Sequence, residues 1–173
     1  MAGRTGIEPL GRGKGQPPRC TALFGVSERA GRSGDEEMKP KALIIPCSGI
    51  GKTLGSVARE SAFRVTEDLR PETSRLMPLS PLVLGEEETR EILASTPVVA
   101  IDGCTKSCAA KVAAERGGKV DQALQVSDAF KRHRGLKPEG VAELNKGGLQ
   151  LAQALAEEVA ELVDRMGGEV KNA

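Results

Sequence analysis

The sequence predicts an α/β fold in three layers, with a mainly parallel sheet flanked by helices. Two short runs of continuous apolar residues, 42–45 and 97–101, are typical of buried strands, because a strand covered on both faces shows no alternation. Segments with the helical spacing of apolar residues follow both runs. Strands that alternate with helices are typical of a parallel sheet, in which each connection crosses one face.

A glycine-rich loop over 47–55 follows the first predicted strand and leads into a helix. Pro71 ends that helix, because proline cannot continue it. We expect a second strand at 76–79 and then a helix from the acids at 86–88 to Ala94, since acidic side chains favour a helix N-terminus. The apolar face of the first helix consists of four residues: Val57, Ala62, Val65 and Leu69.

The strand at 97–101 is followed by a predicted turn at Asp102-Gly103 and a helix from about Cys104 to Arg116. The pair Gly117-Gly118 ends this helix, since glycine favours the left-handed conformation found there. A further strand is expected at 120–126. A short helix at 128–132 and a loop at 136–140 complete this half.

The last segment predicts a long amphipathic helix, because its apolar residues recur with spacings of 3, 4, 3 and 4. We expect this stripe to cover the sheet. A homodimer through the C-terminal helix is the alternative, although the stripe spans barely two heptads. The stripe consists of Ala152, Leu155, Val159, Leu162 and Met166.

Composition excludes several classes of partner. The chain has 173 residues and a net charge of +1, and it contains no Trp, no Tyr and only three Phe. A neutral surface and few aromatic rings disfavour nucleic acid as a partner. No apolar run approaches the roughly 20 residues of a membrane span, and the N-terminus lacks the apolar stretch of a secretory signal. We therefore expect a cytoplasmic protein that does not bind membranes, with reduced cysteines.

Residues 1–37 differ in composition from the rest of the chain. They are rich in glycine, include Pro17-Pro18 and show no regular apolar period. Such a composition is typical of a disordered segment. Met38 stands just before the first predicted strand, so an extension that is not native is the alternative. We expect one α/β domain over 38–173 that ends in the long amphipathic helix.

Three cysteines fall where an α/β sheet commonly binds its ligands. Cys47 follows the first strand, Cys104 follows the strand that ends at 101, and Cys108 stands four residues later. Ligands of such sheets bind at the carboxyl ends of the strands. A spacing of four on a helix places two side chains on one face, one turn apart. Sulfurs around one tetrahedral zinc lie roughly 4 Å apart, which one helical turn can match.

The sequence therefore predicts a metal site at the carboxyl ends of the strands, with Cys47, Cys104 and Cys108 as ligands. Zinc is the favoured metal, while iron and an iron–sulfur cluster stay open because thiolates bind all of them. Asp102 and His133 are candidates for a fourth ligand. Asp102 equally suits turn formation and N-capping, and His133 lies in a basic run typical of solvated surface.

The loop after the first strand also predicts anion binding or stabilisation of the thiolates. Its segment 49–53 resembles the end of a phosphate-binding P-loop, but the leading glycine is replaced by Pro46, which disfavours nucleotide hydrolysis. A glycine-rich turn can still bind an anion through its backbone. The candidate residues are Ser48, Gly49, Gly51, Lys52, Arg59 and Lys106.

Several short motifs together resemble those of a known family. They are Pro46-Cys47-Ser48-Gly49-Ile50-Gly51, Gly55-Ser56 with Arg59, Ile101-Asp102-Gly103-Cys104, and Cys108-Ala109 with Lys111. Over residues 41–138 the chain is similar to the DGC family of bacteria and archaea, which is named for its Asp-Gly-Cys motif. The resemblance implies zinc binding by the cysteines. Many members carry a further cysteine four residues after the second of the pair, where this chain has Val112.

Two functions are compatible with this pattern. The first is a zinc-binding protein, with a metal-carrier or metal-assisted role. The second is a thiol-based redox or sulfur-transfer protein that uses a cysteine of low pKa and a neighbouring thiol. The sequence names no catalytic residue and leaves open whether the protein is an enzyme.

Overall fold

The computed structural model describes residues 42–169, which contain a sheet of four parallel strands with helices on both faces. This confirms the predicted α/β fold. The strand order is β2-β1-β3-β4, so the two strands that are buried along their whole length, β1 and β3, lie in the centre. The predicted N-terminal segment 1–37 lies outside the described residues. The strands are β1 (Ala42–Pro46), β2 (Ser74–Leu76), β3 (Val98–Asp102) and β4 (Val120–Gln125).

Six α-helices connect and follow the strands in the described part of the chain. The first helix continues without a break as a π-helix, Arg64–Leu69. Within residues 42–169, no helix combines the length and the apolar character needed to cross a membrane. The helices are α1 (Thr53–Phe63), α2 (Leu79–Leu84), α3 (Glu87–Ser95), α4 (Cys108–Glu115), α5 (Val126–Arg132) and α6 (Lys146–Glu169).

The residues of β1 alternate between two apolar clusters, one on each face of the sheet. Ala42 and Ile44 pack into a cluster with side chains of α1, α5 and α6. Leu43 and Ile45 pack into a second cluster with side chains of α2, α3 and α4. All four side chains are fully buried. The strand is apolar at every position because helices cover both faces.

Helix α6 buries its apolar stripe within its own chain. Ala152, Leu155 and Val159 are buried in the cluster that includes α1, and the helix contacts α1, the π-helix and α5. Leu162 and Met166 are only half-buried. A homodimer through this helix would therefore need a surface other than the centre of the stripe.

Two elements between β1 and β3 differ from the prediction. The strand expected at 76–79 is β2, which spans 74–76, and residues 79–84 form the unpredicted helix α2. The edge strand β2 pairs with β1, with Ser74 opposite Ala42, so this pairing rather than an apolar run sets its position. Pro81 lies in the first turn of α2, where a missing N–H costs no helical hydrogen bond.

Candidate functional site

The segments after the two central strands leave the sheet side by side. Strands β1 and β3 are paired neighbours, with Pro46 opposite Ile101. Cys47 is the residue after β1, and its N–H donates a hydrogen bond of 2.8 Å to the carbonyl of Ile101. The loop 47–52 and the loop 103–107 therefore start from adjacent points of the sheet.

Three glycines allow both loops to pack against the first turn of α1. Gly49 has a φ of +43°, and a Cβ built there would lie 2.4 Å from Cα of Gly55. A Cβ on Gly103 would lie 3.1 Å from the backbone nitrogen of Gly55. Only glycine permits such close backbone contact and the positive φ together. The glycine of the Asp-Gly-Cys sequence thus serves the contact between the loop 103–107 and α1.

Arg59 of α1 fixes the loop that carries Cys47. Its Nη1 donates to the carbonyl oxygen of Ser48, and its Nη2 donates to Oγ of Ser56 over 3.0 Å. Ser56 in turn donates a hydrogen bond of 2.6 Å to the carbonyl of Val141. Arg59 therefore lies next to the cysteine loop, as its predicted role as an anion-binding or thiolate-stabilising residue requires.

The other predicted anion-binding residues belong to the same two loops. Ser48, Gly51 and Lys52 are exposed in the loop after β1, and Lys106 is exposed in the loop after β3. Lys52 takes the N-cap position of α1, but its side chain makes no capping hydrogen bond. Their role in binding an anion stays a prediction.

The structure corrects the predicted start of α4. This helix begins at Cys108, whereas residues 103–107 form a turn in which the N–H of Ser107 donates to the carbonyl of Cys104 over 3.1 Å. Ser107 adopts a left-handed conformation, with a φ of +51°. The argument that Cys104 and Cys108 lie one helical turn apart is therefore wrong, since Cys104 is not part of a helix.

Asp102 explains why the helix begins where it does. Its Oδ1 accepts a hydrogen bond of 2.8 Å from the N–H of Ala109, and its Oδ2 accepts one of 3.1 Å from the N–H of Ala110. The side chain is 2% exposed. Asp102 thus satisfies two N–H groups of the first turn of α4, which is a capping role. A metal would compete with these hydrogen bonds for the same carboxylate.

The three cysteines carry free thiols in different degrees of exposure. Cys47 is buried, Cys104 is half-buried and Cys108 is exposed. Among residues 42–169, no three His, Cys, Asp or Glu side chains are grouped so that they could hold a metal ion. Thiols are suitable ligands for zinc, so the donor set fits the metal, but the three thiols would have to come closer together to share one ion.

His133 lies apart from these loops along α5. It is the residue after this helix and is exposed. Seven helical residues extend about 10 Å, so the helix carries His133 away from the carboxyl end of β4. His133 is exposed on the surface, as the basic residues beside it in the sequence predict.

A family model described as DGC domain matches residues 43–163. The chain belongs to the DGC domain family. The match covers both cysteine-bearing loops, the three glycines in contact and the capping Asp102. No curated protein matches the chain, and no solved structure matches it.

This DGC domain also contains a cleft that the sequence did not reveal. A space of about 410 Å³ lies between α1 and the segment 141–149. Its lining includes Arg59, which donates to the carbonyl of Ser48 in the cysteine loop, and Ser56, which donates to the carbonyl of Val141. The hydrogen bond from Ser56 to Val141 joins residues 85 positions apart. No local pattern could indicate such a contact. Three apolar side chains of the lining are exposed: Phe63, Val141 and Leu149.

Proposed function

We propose that this DGC domain binds zinc through the thiolates of Cys47, Cys104 and Cys108. The observation that carries the proposal is the hydrogen bond between the Cys47 N–H and the Ile101 carbonyl, because it brings two cysteine-bearing loops together. Three thiols from adjacent loops form a soft donor set, which suits zinc better than hard cations.

The proposal requires the three thiols, which are not grouped in the described structure, to come together when the metal binds. The left-handed Ser107 lies in the loop 103–107, and Gln125 holds its side chain by a hydrogen bond of 3.3 Å, which is long. Within this loop, the side-chain contact of Ser107 is therefore weaker than the close backbone contact of Gly103 with Gly55. Three protein ligands leave one position for water or a substrate, which is typical of catalytic or carrier sites rather than closed structural ones.

Metal analysis of the full chain, purified without chelator, tests this proposal. We expect about one zinc per chain in the wild type, and less than about 0.2 in Cys47→Ser, Cys104→Ser and Cys108→Ser. Cys20→Ser is the matched control, since this cysteine lies outside the described loops, and it should retain its zinc. Far-UV circular dichroism of each variant checks that the fold is kept.

Two results would contradict zinc binding by this set. One is a wild-type chain with less than about 0.2 zinc and all thiols reduced and titratable. The other is an unchanged zinc content in the folded Cys104→Ser variant, which would remove Cys104 from the ligands.

A second function, thiol-based redox or sulfur transfer, is supported by a different observation. The thiols are free, and those of Cys104 and Cys108 reach solvent without being grouped around a common centre. Peroxide would oxidise both thiols to one disulfide, with two protons and two electrons passing to the peroxide to give water. A mass loss of two hydrogens in zinc-free wild type, absent in Cys104→Ser, supports this function. Tightly bound zinc and no disulfide favour the first.

A further inference from the structure

We propose that the cleft between α1 and the segment 141–149 binds a small carboxylate that has an apolar body. The cleft contains none of the cysteines, so this binding site is separate from the proposed zinc site. Its volume of about 410 Å³ falls within the range of roughly 300–1,000 Å³ that is typical of small-molecule sites.

The outer wall of the cleft is fixed at both ends. Oδ1 of Asn145 accepts hydrogen bonds from the N–H groups of Glu139 (3.1 Å) and Gly148 (2.8 Å), and its Nδ2 donates to the carbonyl of Lys137 (3.0 Å). At the other end, Ser56 donates to the carbonyl of Val141. The wall is therefore a preformed surface, as ligand sites usually are.

Apolar side chains that are partly exposed to solvent line this cleft. Phe63 is 43% exposed, Val141 is 43% exposed and Leu149 is 39% exposed. The half-buried Leu144 adds to the same surface. Covering such surface is favourable by roughly 25 cal/mol per Å², so an apolar ligand body is stabilised here.

Arg59 supplies the charge that selects an anion. A guanidinium has five N–H donors, and two of them are used by Ser48 and Ser56. Glu60 also lines the cleft, but Arg64 pairs with its carboxylate over 3.0 Å. Glu143 is a second acidic residue of the lining, but it is exposed, so solvent and salt screen its charge. The planar guanidinium therefore favours a carboxylate, which can accept two hydrogen bonds from it.

Isothermal titration calorimetry of the full chain with 3-phenylpropanoate tests the proposal. We expect a Kd on the order of 1 mM, as for a ligand of this size. The alcohol 3-phenylpropan-1-ol and 3-phenylpropylamine carry the same apolar body without the carboxylate. Both should bind at least about tenfold more weakly if Arg59 recognises the acid. Equal binding of the acid and the alcohol, or tighter binding of the amine, would overturn the proposal.

Two variants of Leu149 test whether the ligand occupies the cleft. Leu149→Glu adds a negative charge to the cleft in the first turn of α6, where an acidic side chain favours the helix. It should abolish binding of 3-phenylpropanoate, whereas the neutral Leu149→Gln should weaken it by less than about tenfold. Leu84→Gln is a control at an exposed residue of α2, outside the cleft, and should bind as the wild type does.

The zinc proposal and the cleft proposal fail independently. Cys104→Ser should bind 3-phenylpropanoate as the wild type does, even if it loses zinc. If Leu149→Glu binds the acid with unchanged affinity, the ligand does not occupy this cleft, whatever the zinc content of the chain.

Discussion

Individual glycines decide how closely the loops approach α1. At Gly49 and Gly55 the two backbones are so close that a Cβ on either residue would lie within 2.5 Å of the other. At Gly51 the φ is +77°, but a Cβ would meet nothing within 4 Å. The two positions thus separate the effect of backbone conformation from the effect of contact.

We predict that Gly49→Ala destabilises the protein much more than Gly51→Ala. A left-handed alanine costs about 1–2 kcal/mol at either position, and at Gly49 the collision with Gly55 adds about 1–3 kcal/mol. Urea unfolding followed by circular dichroism measures both. Equal losses of unfolding free energy in the two variants would show that the Gly49–Gly55 contact is not as close as described.

At the scale of elements, the buried carboxylate of Asp102 sets the start of α4. We predict that Asp102→Asn lowers the free energy of unfolding by about 1–3 kcal/mol, because an amide presents only one acceptor to two helical N–H groups. Glu115→Gln, at the exposed C-terminal end of the same helix, is the control and should change it by less than about 0.5 kcal/mol. An Asp102→Asn variant as stable as this control would contradict the capping role.

The same helix shows what the sequence could and could not predict. The central strands were predicted within one residue, because a continuous apolar run is a local signal. The start of α4 was predicted four residues too early, because the capping side chain stands before the turn 103–107 rather than next to the helix. The role of the three cysteines as metal ligands stays a prediction, and the Ser56–Val141 contact and the cleft depend on distant segments.

An ion pair joins the end of the π-helix to α6. Arg70 follows the π-helix, and its Nε and Nη2 donate to the two carboxylate oxygens of Asp164 over 2.7 and 2.6 Å. The hydrogen bond with Asp164 raises the pKa of Arg70, and burial lowers it to a smaller extent. A raised pKa stabilises the folded state at every pH below the ordinary guanidinium value, and this stabilisation is lost only as the pH rises through the folded value.

We therefore predict that Arg70→Gln lowers stability by the same amount at about pH 6 and about pH 9, since Arg70 is charged at both. Urea unfolding of the wild type and the variant at the two pH values gives the comparison. A difference that shrinks toward pH 9 would mean that the pair titrates in this range, contrary to the raised pKa of Arg70.

At the scale of the whole molecule, the sheet joins two apolar clusters that contain few aromatic rings. One cluster lies between the sheet and α1, α5 and α6, and the other lies between the sheet and α2, α3 and α4. Residues 42–169 fall within one compact unit. Because β1 contributes alternate residues to both clusters, damage to either one should affect the stability of the same cooperative unit.

We predict that Leu155→Ala and Leu93→Ala, one in each cluster, each lower the unfolding free energy by about 2–5 kcal/mol, since both side chains are fully buried. Leu84→Ala should change it by less than about 0.5 kcal/mol, because Leu84 is 76% exposed. In urea, each variant should unfold in a single transition with the wild-type slope, because the two clusters share the central strands. A second transition in only one of the core variants would show that its cluster unfolds separately, and that β1 does not couple the two faces.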